Sequence, residues 1–425
     1  MKSIIERILK RLAADVLRKY KPKIIGVTGS MGKTSTKEAI FAVLGEKFFV
    51  WRNVKNYNNE IGVPLTILGQ ESGGRSPFRW LAVILKSLKL IFFRSQYPQI
   101  LILEMGADKP GDIQYLMSFV DPNAGVITGI GEVPVHVEYF KSPIQVAREK
   151  SGLIRFLKED DFAILNFDDK LVKDMASKTK GKILSYGFSE GVQVRATNYQ
   201  LNIALDPSLS GISFKIEYEG KVMPIRKEGI FGQHQIYSML AACAMGLALN
   251  MNLAEIAEGL RSYRSPKGRL QILEGIKSTW ILDDTYNASP SATISALETL
   301  TKFEGRRRIA VLGDMLELGE FTESMHRLVG EKAYECADYF FTVGDRMRFA
   351  AEAAEQKGMK KHKIFWFETA DGARMPLQMT IQKGDVILVK GSQGMRMEKI
   401  VEEIMAHPEK AGELLVRQEA KWKKR

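Results

Sequence analysis

The sequence predicts a two-domain α/β protein, with a P-loop central domain built on a mainly parallel sheet plus a smaller β layer, then a C-terminal doubly wound α/β domain. Three observations predict it. Short β-rich runs alternate with helix-forming segments from Lys23 to about Tyr139, and again from about Arg269 onward. The first run leads straight into "GVTGSMGKTSTKEAI", Gly26 to Ile40, a glycine turn between a strand and a helix. The chain has 425 residues, 45% of them hydrophobic, which is enough for two or three cores.

Residues 1–22 space apolar side chains at helical intervals among basic ones. They lack the continuous apolar stretch and small-residue cleavage site of a signal peptide, so they read as a basic amphipathic helix. From Lys23 the runs "KIIGVTG", "QILILEMGA" and "AGVITGI" end respectively in the glycine turn, at Glu104, and in the loop to His136. Ligands of open parallel sheets gather at such carboxyl ends. Between Val192 and Ile230 the pattern becomes strand and turn, the smaller β layer. Two helical runs follow, "HQIYSMLAACAMGLALN" and "LAEIAEGLRSY", and then "SPKG" interrupts the pattern. The central domain is therefore read as 23–268, with a hinge at Ser265 to Gly268. The second domain, 269–425, carries the runs "TWILDDTY", "RRIAVLGDM", "DYFFTVGD" and "DVILVKGS".

Residues 70–99 form an insertion containing "SPFRWLAVILKSLKLIFFRSQYP", Ser76 to Pro98. Lys86 and Lys89 interrupt its apolar run, which falls short of the roughly 18 residues of a spanning helix. Trp80, Leu81, Ile84, Leu88, Ile91 and Phe92 share one helical face, with Arg79, Lys86, Lys89 and Arg94 at its edges. Two readings stand: a helix packed on the protein core, or an interfacial helix on anionic lipid.

The formal charge of +12 invites a nucleic-acid partner. The excess is concentrated in the N-terminal helix, in Arg75 to Arg94 and in the tail "KWKKR", and no zinc-finger spacing or aromatic RNP-like segment accompanies it. No nucleic-acid partner is expected. Cys243 and Cys336 stand far apart without a partner motif, which fits buried thiols in a reducing, cytoplasmic setting, with peripheral contact at the inner membrane face left to the 76–98 segment.

In the glycine turn, backbone amides and the start of a helix can face a phosphate. Lys33 can reach the outer phosphates and Thr34 can ligate Mg²⁺. Gly29, Ser30, Gly32, Lys33, Thr34 and Ser35 are the candidate nucleotide contacts. The spacing departs from G-x-x-x-x-G-K-[ST], because Val27 stands five positions before Gly32.

"NYNNEIGVPLTIL", "LEMGADKPGDI", "HVEYF" with "AREKSGLI", "KGRLQ", "ILDDTYNASPSA", "VLGDMLELGE" and "VKGSQGMRMEKIV" follow the glycine turn in this order. Together they closely resemble the Mur ligase superfamily, from about residue 23 to the C-terminus. The resemblance implies an ATP-dependent amide ligase. A substrate carboxylate takes the γ-phosphate of ATP as an acyl phosphate, and an incoming amine then displaces phosphate. Lys33, Lys150, His136 and Arg269 would be catalytic. Glu104, His136 and Lys150 would serve a second Mg²⁺, Lys150 as a carbamate formed with CO₂, and Thr34 the first. Arg269 would approach the γ-phosphate, Asp284 and Asn287 the ribose and phosphates, and Lys390 and Ser392 the acceptor amine or its carboxylate. "NNEIGVP", "DDTYNA", "GDMLELG" and "KGS" point to the members that join a D-alanyl-D-alanine acceptor to a muramoyl-peptide donor for peptidoglycan synthesis. A monomer is expected.

Two departures accompany the resemblance. Where relatives read G-x-H-N-x-x-N this chain has "GQHQIYS", so Gln235 and Ser238 replace two asparagines near the adenine nucleotide. Members also carry an N-terminal domain for the donor's uridine nucleotide, whereas about 22 residues precede the first strand here. The alternative is a related ligase acting on a lipid-linked or polymeric carboxylate. A non-catalytic nucleotide-binding module would leave Lys33, Glu104, His136 and Arg269 without a purpose.

Overall fold

A computed structural model of the chain describes residues 2–53, 57–134, 136–204, 209–419 and 422. Asn56 of the runs quoted above, residues 205–208 of the smaller β layer, and the basic tail apart from Trp422 lie outside the described residues.

Two sheets carry the two halves. The first orders its nine strands β2-β3-β1-β4-β5-β6-β7-β8-β9. These are β1 Lys23–Thr28, β2 Val50–Arg52, β3 Ile100–Glu104, β4 Ala124–Ile127, β5 Phe162–Asn166, β6 Lys182–Gly187, β7 Val194–Asn202, β8 Gly211–Tyr218 and β9 Lys221–Glu228. All pairs from β2 to β7 are parallel, and β7-β8-β9 is an antiparallel meander. The smaller β layer is thus continuous with the parallel sheet, joined through only two residue pairs, Tyr186 with Val194 and Gly187 with Arg195. So short a junction leaves no mark on sequence periodicity.

The alternation along β1 explains the layers. Ile25 and Val27 face one core, shared with helix α2, Lys33–Gly45, and the helix Gln233–Ala248. Ile24 faces the other, shared with α1, Lys2–Tyr20, and α3, Gly62–Ile67. Buried on both faces, the central strands are apolar except at their ends, Lys23, Thr28 and Glu104.

The second sheet orders β10-β11-β15-β12-β13-β14: β10 Gln271–Gly275, β11 Thr279–Asp284, β12 Arg308–Gly313, β13 Tyr339–Val343, β14 Ile364–Phe367 and β15 Val386–Lys390. Only β10 is antiparallel to its neighbour. A core lies on each face, as a doubly wound domain requires.

The insertion folds as α4, Pro77–Phe92, begun by Ser76, whose hydroxyl accepts from the Arg79 amide, and by Pro77 at the first turn. The apolar face read from the sequence is divided by the structure. Trp80, Ile84, Leu88 and Ile91 pack with buried Val83 against the core, whereas Leu81 and Phe92 point to solvent beside Phe78 and Leu85. Among the described residues no helix is long and apolar enough to cross a membrane.

α1 joins the core through Leu9, Leu12, Ala13 and Val16. Leu9→Ala should cost about 2 to 5 kcal/mol in urea unfolding. Leu81→Ala should stay within about 0.5 kcal/mol. Equal effects would mean that α1 is not docked as described.

Candidate active site

The turn after β1 is shaped by glycine at two positions. Gly29 has φ +148°, and a Cβ there would stand 1.9 Å from the Thr128 hydroxyl; Gly32 has φ +78° at the threshold of α2. The loop after β4 holds the turn from behind. Ser30 and Met31 amides donate to the Gly129 carbonyl at 2.7 and 3.2 Å, and the Thr128 hydroxyl donates to the Met31 carbonyl at 2.6 Å. Asp169 fixes that loop in turn, accepting from the amides of Ile130 and Gly131 at 2.7 and 2.8 Å. Asp169 carried no signal in the sequence, since its partners lie about 40 residues away.

Lys33 donates to the Gly29 carbonyl at 2.8 Å. Burial pulls its pKa down; Glu104 opposes the shift, Arg269 adds to it and Asp108 opposes it. The Ser30 hydroxyl is buried without a partner. An orphaned hydroxyl and a desolvated ammonium beside a glycine turn fit a phosphate. Thr34 Oγ1 donates to Glu104 Oε1 at 3.3 Å, and Asn58 donates to the same oxygen at 3.2 Å. Lys37, itself bonded to the Asn53 carbonyl, lies 3.6 Å from Glu104 Oε2. A hydroxyl and a carboxylate at a helix start are hard oxygen donors that suit Mg²⁺.

Lys150 is buried, its Nζ has no partner, and burial first and Lys33 second bring its pKa down to about 7. His136 takes φ +68°. Its Nδ1 lies 2.5 Å from Glu317 Oε2, and its Nε2 lies 3.6 Å from Asp108. Glu317 belongs to the second half of the chain, so His136 reaches across. Among the described residues no three His, Cys, Asp or Glu side chains gather as a ready metal cluster.

The C-terminal half supplies the opposite wall. Arg269 stacks on Tyr286 at 4.0 Å, and its Nε is buried without a partner. Asp284 accepts from Lys390 at 2.6 Å, and Lys390 also donates to the Asn287 carbonyl at 2.9 Å. Asn287 Oδ1 accepts from the Gln393 amide at 3.3 Å. Asp283 bonds Thr285 beneath and is pushed up to about 6 by burial. The Ser392 hydroxyl accepts from the Leu316 amide at 2.9 Å, which fixes the loop to Glu317.

One cavity of about 680 Å³ opens between these walls, lined among others by Gly32, Ser35, His234, Arg269, Asp284 and Lys390. His234, unassigned by the sequence, is held down to about 4 by burial; Asp284 opposes that shift, and Lys390 and Arg269 add to it. Tyr237 at the cavity wall donates to Asp168 at 2.8 Å. The replacement at Gln235 has another meaning than a nucleotide contact. Its amide donates to Ser265 Oγ and the Arg269 carbonyl at 3.0 and 2.9 Å, and accepts from Tyr263 at 3.1 Å. Ser238 accepts from Thr36 at 3.2 Å at the cavity's edge.

A glycine turn on a parallel sheet, facing a second α/β domain across one cation-lined cavity, defines a nucleotide-using enzyme with two-domain architecture. The chain belongs to the Mur ligase family: residues 27–76 and 83–246 match the Mur ligase middle domain, and 268–393 the Mur ligase glutamate ligase domain. It is 32% identical over 403 residues to the UDP-N-acetylmuramoyl-tripeptide--D-alanyl-D-alanine ligase of Bacillus subtilis, covering 94% of this chain and 79% of the relative. Among solved structures, MurF from Acinetobacter baumannii superposes with a TM-score of 0.77 at 27% identity over 93% of this chain and 79% of that one. MurF ligase from Thermotoga maritima in complex with ADP gives 0.75 at 26%, over 94% and 83%. The break in the middle-domain match, 77–82, falls in α4.

Lys33→Ala should lower nucleotide turnover by about two to three orders of magnitude, roughly 3 to 4 kcal/mol. Its unfolding midpoint should not fall, because the substitution removes a desolvated charge. Normal turnover in the folded variant would exclude this turn as the phosphate site.

Proposed function

We propose that this chain is the ATP-dependent ligase that joins D-alanyl-D-alanine to UDP-N-acetylmuramoyl-tripeptide in peptidoglycan precursor synthesis. The observation that carries the reading is the cavity of about 680 Å³ walled by Met31, Gly32 and Ser35 of the glycine turn on one side and by Arg269, Asp284 and Lys390 on the other, in a chain that matches the tripeptide ligases almost throughout. Such a cavity suits a triphosphate whose outer phosphate meets groups from both halves.

The reaction transfers the γ-phosphate to the donor carboxylate, and the amine of the acceptor then attacks that acyl carbon and releases phosphate. Negative charge gathers at both stages, so fixed cations and donors are the chief requirement. Lys33 and the amides of Gly29 to Gly32 hold the outer phosphates from the central domain, and Ser30 donates its free hydroxyl. Arg269 approaches from the other side with its unpartnered Nε. Lys390, held by Asp284 and the Asn287 carbonyl, keeps the nucleotide wall in shape. Mg²⁺, when bound by Thr34 and Glu104 and by His136 with a modified Lys150, supplies charge neutralisation at the transferring phosphate.

Lys150 suits carbamylation because it is buried, unpartnered and close enough to Lys33 to be held down to about 7. A neutral amine adds to CO₂, forming an N–C bond and releasing one proton, and the resulting anion offsets the neighbouring Lys33. The exposed face of α4 brings the enzyme to the inner membrane surface in this reading.

Incubation of UDP-muramoyl-tripeptide, D-alanyl-D-alanine and ATP, with mass spectrometry of the product, tests the function. The expected outcome is the pentapeptide nucleotide with stoichiometric phosphate release. Its absence, with another donor or amine productive, would replace this substrate pair. Isotope-labelled bicarbonate should give a carbamate carbon resonance in the wild type that Lys150→Ala lacks, and CO₂ removal should lower turnover reversibly. No resonance, with activity indifferent to CO₂, would leave Lys150 an unmodified amine.

A further inference from the structure

α4 buries one face and leaves the other bare. Phe78, Leu81, Leu85 and Phe92 are separated by three, four and seven residues, steps that return to the same side of a helix. They are 53% to 83% exposed, and Phe93 beyond the helix end is 64% exposed. Five large apolar side chains in one strip are more than isolated surface hydrophobics, and strips of this kind mark contact sites.

Charge says what the strip contacts. Arg75, Arg79, Lys86, Lys89 and Arg94 surround it, and no acidic residue occurs from Ser72 to Leu103. A second copy would bring cations against cations if the strip paired with itself. A polyanion alone would leave the phenylalanines in water. An anionic lipid surface answers both features at once, with apolar side chains at the acyl boundary and Lys and Arg among the headgroups.

The mounting is rigid. Val83 and Ser87 are buried beneath the helix, and its last turn is tied to α1. Lys19 donates to the carbonyls of Leu90, Ile91 and Phe93 at 3.0, 2.9 and 2.5 Å, Tyr20 donates to Leu90 at 2.9 Å, and Tyr20 stacks on Tyr97 at 4.4 Å. Tyr20 and Tyr97 immediately precede β1 and β3, so this tie sits at the amino ends of the strands. The cavity opens at their carboxyl ends, and a surface meeting the strip leaves it accessible.

We infer that the exposed face of α4 docks this protein on anionic lipid bilayers, independently of the reaction it catalyses. The test is sedimentation with phosphatidylglycerol vesicles, with phosphatidylcholine vesicles as control, together with light scattering of the free protein. Wild type should pellet with the anionic vesicles at low ionic strength and be released by high salt. The double variant Phe78→Ser/Phe92→Ser, which touches no core contact, should bind at least about tenfold more weakly with an unchanged unfolding midpoint. Lys86→Glu/Lys89→Glu should lose binding while keeping the apolar strip. Wild type remaining in the supernatant, or folded variants binding as wild type does, would overturn the inference. A dimer in light scattering that the Phe78→Ser/Phe92→Ser variant abolishes would also overturn it and assign the strip to a second copy of the chain.

Discussion

The contact between the Gly29–Gly32 turn and the Thr128–Gly131 loop is the constraint on which the site depends. A glycine turn is a weak scaffold by itself, because glycine loses more backbone freedom on ordering than any other residue. Here the amides of Ser30 and Met31 are tied to Gly129, and the Met31 carbonyl to the Thr128 hydroxyl. The clamp requires β1 and β4 to be neighbours, which their parallel register from Ile25 with Ala124 to Thr28 with Ile127 provides. It also requires the absence of a side chain at Gly29, where Thr128 already occupies the space. The second loop is then braced by Asp169, so the phosphate turn rests on three consecutive strand ends.

The second organising feature is a surplus of buried and half-buried cations. Lys33 lowers the proton affinity of Lys150, and Arg269 lowers those of Lys33, His234 and Lys390. Asp284 relieves Lys390, while Glu104 is shared among Thr34, Asn58 and Lys37. Desolvated cations without partners are costly. A polyanion entering the cavity removes that cost, and the site is accordingly strained toward binding one. The same surplus explains why a negative charge on Lys150 would be favourable there, although a free ammonium at that position is not.

Much of this was legible in the chain. Lys33, Thr34 and Glu104 could be named because each sits at the end of a β-rich run, where the parallel sheet opens its ligand edge, and the structure brings all three together. Asp168, Asp169 and Glu317 were not legible, because their roles are set by partners tens to hundreds of residues away and short polar residues in loops carry no periodic signal. β2 and β14 went unread for a related reason: three and four residues at sheet edges are too short for alternation to appear. On α4 the helix and its apolar character were visible, but a helical wheel cannot say which arc the core takes. Gln235 is the instructive case. Read as a substituted nucleotide contact, it is a fully buried amide that fastens Tyr263, Ser265 and the Arg269 carbonyl.

That fastening bears on how the two halves cooperate. They meet at the Ser265–Arg269 link, where Gln235 holds the backbone, at Met31 with Ser291 and Phe231 with Phe303, and at the contact of His136 and Glu138 with Glu317 and Gly319. Any rotation between the halves displaces atoms in proportion to their distance from the link. Arg269 lies on the link itself, so it stays close to the Lys33 side whatever the angle. A rotation that keeps Arg269 near Lys33 would part the loop contacts of His136 with Glu317 and of Met31 with Ser291.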